Sequence, residues 1–254
     1  MALDNNIIEI KNLVKIYPTF RRGSVKDLLA ARKMSPPNSE IQQLEFHRER
    51  ALDDISIDIE RGSRFGILGH NGSGKSTLLA VMLGILRPEK GSVRVNGRAI
   101  GLLEMGSGFH PELSGYENVL LHLSILGMRI ADARKLMPSI VDFCELGTAL
   151  SYPLKTYSAG MVTRLAFSVL SHVPADIFLV DEVLAVGDYA FQNKCIEFMK
   201  RFSEDGGTIV IVSQNPDYLK DICDIGLCLH EGTVRALGSM EIIARDYLRG
   251  SEQL

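Results

Sequence analysis

The chain has 254 residues, 46% of them hydrophobic and 23% charged, with a formal net charge of -3. That length suits one large domain, or one domain with a helical insert, and lets roughly 70–75% of the unfolded surface be buried. The mild acidity excludes a dedicated nucleic-acid binder, which needs a strongly basic surface, and no run approaches the ~20 apolar residues of a membrane span. The start, Met1 to Asn6, lacks a basic-then-apolar pattern, so no signal peptide is expected. Cys144, Cys195, Cys223 and Cys228 sit among apolar neighbours without a metal-type pair and read as reduced core thiols.

In chain order, apolar and β-branched runs predict strands over 7–10, 55–59, 65–68, 92–95, 177–180 and 208–212. A short amphipathic helix is expected over 24–33, with Ser24 as N-cap and Pro36-Pro37 as its stop. A helix follows at 76–83. Between 115 and 171 the pattern turns helical, with helices over 118–126, over 132–146 with Pro138 near its middle, and over 163–171. The end predicts a hairpin over 225–234, turning at Glu231-Gly232, and a helix over 240–248. Strands alternating with helices define an α/β class.

Three segments carry chemistry. Gly69-His70-Asn71-Gly72-Ser73-Gly74-Lys75-Ser76-Thr77 fits G-x-x-x-x-G-K-[ST], between a predicted strand and a predicted helix. Its three glycines let the backbone turn tightly so that successive N–H groups point at phosphate oxygens. Lys75 supplies a point charge to the β- and γ-phosphates, and the Ser76 hydroxyl is placed to ligate Mg²⁺. The positive N-terminus of the helix adds to the same anion site. Ile177-Phe178-Leu179-Val180 is an unbroken apolar run, as a strand buried on both faces requires, and it ends in Asp181-Glu182. Asp181 is placed to serve the phosphate-bound metal, and Glu182 to orient a water as general base. Tyr157-Ser158-Ala159-Gly160-Met161 offers a hydroxyl, a flexible backbone and a helix N-terminus, again a phosphate-binding arrangement.

Together these motifs resemble an ABC ATPase, the nucleotide-binding subunit of ATP-binding cassette transporters, over nearly the whole chain. Residues 157–161 are similar to a variant of the family signature L-S-G-G-Q, keeping the serine and second glycine. Residues 104–118, 155–161 and 183–188 also resemble ATPase subunits of polysaccharide exporters, which move O-antigen, teichoic acid or capsule polymers. The resemblance implies an ATPase coupled to transport, with ATP and Mg²⁺ as cofactors. Its fold would be a P-loop core sheet flanked by helices, with an antiparallel β part and a helical subdomain over 115–171. It further implies a head-to-tail dimer that sandwiches two ATPs, Ser158, Ala159 and Gly160 of one copy facing the loop of the other. Other partners would be a separate transmembrane permease pair and a lipid-linked polysaccharide, with no nucleic acid, on the cytoplasmic face of the inner membrane.

Residue by residue, the resemblance makes Tyr17 an adenine-stacking ring and puts Glu104 where most members have a glutamine beside Mg²⁺. Asp188 would bridge the two ATP sites. Residues 20–50 would form an insert whose basic helix lies near the lipid-linked substrate, and no carbohydrate-binding domain is expected at the C-terminal end. Gln214 departs from the pattern, because the family places a histidine there, against the γ-phosphate. An engineered slow variant that traps ATP and a natural tolerance are both compatible with it, the first being preferred. The alternatives are an ATPase of another ABC transporter, a non-transport ABC ATPase, and a regulatory module that does not turn over.

Overall fold

In the computed structural model, which describes residues 5–20, 46–102, 108–181 and 189–251, two sheets enclose a single helix between them. Along the chain the strands are β1 (Asn6–Phe20), β2 (Phe46–Glu60), β3 (Arg64–Leu68), β4 (Lys90–Val95), β5 (Ala99–Leu102), β6 (Ile177–Val180), β7 (Thr208–Ser213), β8 (Ile225–His230) and β9 (Thr233–Ser239). The helices are α1 (Lys75–Met82), α2 (Gly115–Ile125), α3 (Ile130–Cys144), α4 (Ala159–Leu170), α5 (Tyr189–Glu204), α6 (Pro216–Ile222) and α7 (Met240–Ser251). The antiparallel sheet has the order β2-β1-β4, and the mixed sheet the order β5-β6-β7-β3-β8-β9. Every pairing in the larger sheet is parallel except β8 with β9.

The larger sheet divides two cores. Ile177 and Leu179 of β6, with Val210 and Val212 of β7, face the antiparallel sheet. Phe178, Val180, Ile209 and Ile211 face the helical side. Both faces being dry, the runs Ile177–Val180 and 209–212 are apolar at every position. Helix α1 lies in the first core, with Leu78, Leu79, Val81 and Met82 buried against residues of both sheets. A helix apolar on all sides needs such a setting. On the other side α2, α3 and α4 form a helical layer, and Phe143, Phe167, Phe178, Phe191 and Phe198 pack there as a ring cluster.

Several expectations shift. The runs at 7–10 and 55–59 are only parts of two 15-residue strands. These pair as far as Phe20 opposite Phe46, so residues 46–50, assigned to the insert, are strand. Register breaks hid them: Asn12 and Asp54 sit at φ of 49° and 54° and join through an Asn12 Nδ2 to Asp54 Oδ1 bond of 3.0 Å. Such bulges destroy the period-2 pattern. Helix α2 starts earlier than 118 because Ser114 and Glu117 form a capping box, Ser114 N donating to Glu117 Oε2 at 2.8 Å. Strand β5 and helices α5 and α6 were not anticipated. The helix expected over 24–33 lies outside the described residues.

Candidate nucleotide site

The segment between β3 and α1 is shaped by its glycines. Gly72 and Gly74 hold φ of 80° and 103°, in the left-handed region that costs other residues energy. A Cβ at Gly74 would meet the Leu52 side chain at 2.9 Å, and one at Gly69 would meet Ser73 Oγ at 2.6 Å. The turn is closed by Ser73 N donating to the His70 carbonyl at 3.2 Å and braced by Gly232 N donating to the Ser73 carbonyl at 3.0 Å. Gly74 caps α1 without a side-chain hydrogen bond, so no side chain competes for the first-turn N–H groups. The Ser73 hydroxyl is buried and has no hydrogen-bond partner among the described residues.

Lys75 is only 7% exposed, and its Nζ donates to the carbonyls of Gly69 at 2.7 Å and His70 at 2.9 Å. The ammonium is thus held over the loop by the loop's own backbone. Ser76 Oγ donates to Asp181 Oδ2 at 3.1 Å, across 105 residues of sequence. The sheet order explains this meeting. Strands β3, β7 and β6 are parallel neighbours, so the loop, Gln214 and Asp181 all follow carboxyl ends on one edge. A hydroxyl beside a carboxylate is a pair of hard oxygen donors, which suits Mg²⁺ shared with phosphate.

A cleft of about 580 Å³ opens here. Tyr17, Asn71, Gly72, Gly74, Lys75, Ser76, Thr77 and Asp181 line it, while Gly69 and Ser73 are buried and are not among its lining residues. Glu49, Arg50 and Ala51 of β2, and Glu231 at the β8–β9 turn, line it too. Sequence reading missed these four, because nothing local marks them. Tyr17 is a strand residue paired with Glu49, half exposed, with Lys15 Nζ 5.5 Å from its ring centroid. That partial exposure leaves ring surface for a flat partner.

Ser158, Ala159, Gly160 and Gln214 are not among the described residues that line the cleft. Ser158 is the N-cap of α4, its Oγ accepting from Met161 N at 3.3 Å, and both Ser158 and Ala159 are exposed while Gly160 is half-buried. Gln214 is exposed just past β7. Glu104, Glu182 and Asp188 lie outside the described residues. The cysteines are free, and burial pushes the Cys195 and Cys223 thiols up to about 12, as inert core sulfur requires. Among the described residues no helix is long and apolar enough to cross a membrane.

A glycine-shaped loop opening a buried helix, with a carboxylate from a neighbouring strand beside its serine, defines a P-loop nucleotide-binding protein. The added antiparallel sheet and helical layer narrow that class. The family model "ABC transporter" matches residues 52–185, and the chain belongs to that family. It is 40% identical over 243 residues to the O-antigen export system ATP-binding protein RfbB of Klebsiella pneumoniae, covering 95% of this chain and 97% of that one. It is 36% identical to the teichoic acids export ATP-binding protein TagH of Listeria monocytogenes serotype 4b, covering 94% of this chain and 69% of the relative. Among solved structures, the ATP-binding cassette MJ0796, dimeric and bound to ADP and Pi, superposes with a TM-score of 0.72 at 21% identity, covering 92% and 98% of the two chains. That likeness establishes the α/β cassette fold.

Proposed function

We propose that this chain is the ATP-binding and ATP-hydrolysing subunit of an exporter of lipid-linked polysaccharide such as O-antigen. The observation that carries the reading is end-to-end similarity to a relative named for O-antigen export, 40% identical over 95% of this chain. The TagH relatives favour a second reading, teichoic acid export, with the same catalytic chemistry.

In this reading Tyr17 stacks on adenine and the loop from Gly69 to Thr77 wraps the phosphates. Ser76 and Asp181 would hold Mg²⁺, which would supply positive charge to the phosphates, with Glu104 proposed as a further metal-site residue. Glu182 takes the proton from the attacking water, while Lys75 and the loop N–H groups stabilise the charge that develops on the transferring phosphoryl. Ser158, Ala159 and Gly160 of a second copy complete the site, which suits an exposed α4 N-terminus outside the cleft of its own chain. A transmembrane permease pair takes up the motion, with the chain peripheral on the cytoplasmic face of the inner membrane. The test of function is deletion of the gene in its host. Surface polysaccharide should vanish while lipid-linked polymer accumulates inside; unchanged surface polymer would reject the proposal.

Two substitutions examine the mechanism. Ser158→Arg, made in a Glu182→Gln background that slows hydrolysis, should prevent the ATP-dependent dimer seen by sedimentation and leave monomer nucleotide affinity intact. An undiminished dimer would refute the contribution in trans. Gln214→His replaces a neutral hydrogen bond, worth ~1 kcal/mol, by a charge-assisted one of roughly 1.5–3 kcal/mol. At ~1.4 kcal/mol per factor of ten, turnover should rise by up to tens-fold with nucleotide binding less changed. Phosphate release at saturating ATP checks this, and equal rates would make the glutamine a native catalytic solution.

A further inference from the structure

The phosphate loop touches an element far along the chain that none of its motifs involves. The His70 ring lies 5.0 Å from the Tyr247 ring, centroid to centroid, at an interplanar angle of 35°. Tyr247 belongs to α7, on the face shared by Met240, Ile243 and Ala244, because positions 0, 3, 4 and 7 recur on one side of a helix. That face is anchored. Met240, Ile243 and Ala244 are 0%, 5% and 1% exposed. The Met240 sulfur occupies the space left by two glycines, Gly66 of β3 and Gly226 of β8, where an added Cβ would come within 2.7 and 2.8 Å of it. Strand β3 is the one that feeds the loop. Helix α7 is therefore pinned to β3 at its first turn and reaches the loop two turns later.

His70 matters to the loop through its backbone. Its carbonyl accepts from Lys75 Nζ at 2.9 Å and from Ser73 N at 3.2 Å. A displacement of His70 would carry the ammonium and the turn with it.

We propose that Tyr247 is a positioning residue for the phosphate loop: its ring, held by the anchored face of α7, fixes His70, and through the His70 carbonyl it orients Lys75. The proposal rests on the reading of this loop as the ATP site. The loop N–H groups bind phosphate and Lys75 acts on the transferring phosphoryl, so loss of the contact weakens nucleotide affinity, raises KM and lowers kcat as well.

The test uses the full-length chain, with titration of a fluorescent ADP analogue, which is not hydrolysed, and steady-state phosphate release from ATP. Tyr247→Ala should weaken ADP binding and raise KM for ATP by about three- to tenfold, the worth of one aromatic contact. Tyr247→Phe keeps the ring and should restore wild-type values. Leu248→Ala, on the exposed side of the same helix, should change neither. His70→Ala should reproduce the loss, and adding Tyr247→Ala to it should cost nothing more, since the two rings form one contact. The His70 variant also carries the test if Tyr247→Ala does not fold. Wild-type ADP affinity in His70→Ala or Tyr247→Ala, an equal loss in Leu248→Ala, or additive losses in the double variant would overturn the proposal. A wild-type chain that binds no ADP would instead overturn the nucleotide reading of the loop, and this inference with it.

Discussion

Lys75→Ala is expected to reduce ATP hydrolysis by about 10²–10⁴-fold, the consequence of removing two charge-assisted interactions of roughly 1.5–3 kcal/mol each. The side chain is buried, and its ammonium is already held over the loop by the carbonyls of Gly69 and His70. Little rotamer freedom remains to be lost when phosphate arrives, so the charge acts preorganised. Alanine removes that charge, takes the Lys75 donor from the Gly69 carbonyl and leaves the His70 carbonyl its bond from Ser73 N. Nucleotide binding should weaken less than turnover, because the backbone N–H groups and Ser76 remain. Phosphate release and equilibrium nucleotide affinity, measured side by side, separate the two effects. Turnover at the wild-type rate would remove the catalytic assignment of this lysine.

Asp181→Asn should lower hydrolysis by about 10–100-fold at a fixed Mg²⁺ concentration, the range found when a group that tunes a metal site is changed. Asparagine has nearly the same shape and still presents an oxygen to the Ser76 hydroxyl, now 3.1 Å from the aspartate. The strand before it, Ile177–Val180, is fully buried and unaffected. Stability should hardly move. The lost negative charge should instead displace the Mg²⁺ dependence of phosphate release to higher concentration and leave nucleotide affinity in EDTA unchanged. A variant with unaltered Mg²⁺ dependence would show that Asp181 orders Ser76 and does not serve the metal.

Much of the local structure could be read from short windows of sequence. The glycines of the loop predict a tight turn because φ values of 80° and 103° at Gly72 and Gly74 are intolerable to most other residues. The apolar runs of β6 and β7 predict strands buried on both faces. Some signals were present and were passed over. Ser114-Gly115-Tyr116-Glu117 is a capping box that starts α2 at Gly115. Asn215-Pro216 is an N-cap with proline at the first helical position, which starts α6. Phe191, Cys195 and Met199, four residues apart and buried, mark one face of α5.

The sequence by itself therefore determined the class of chemistry: a loop that cradles phosphate, a helix that must be buried, and a carboxylate at a strand end. Each depends on backbone conformation or burial within a few neighbouring residues. Only the tertiary structure decided which of these groups meet. The order β6-β7-β3 brings Asp181 to Ser76, yet an alternation of strands and helices is compatible with several strand orders, and no local window encodes the one adopted. The bulged register of β1 against β2 carries Tyr17, Glu49 and Arg50 into the cleft, because each left-handed residue shifts the pairing beyond what alternation predicts. The contact of Tyr247 with His70 is of the same kind: the spacing from Met240 puts the ring on the buried face, but only the packing of α7 on β3 and β8 aims it at the loop.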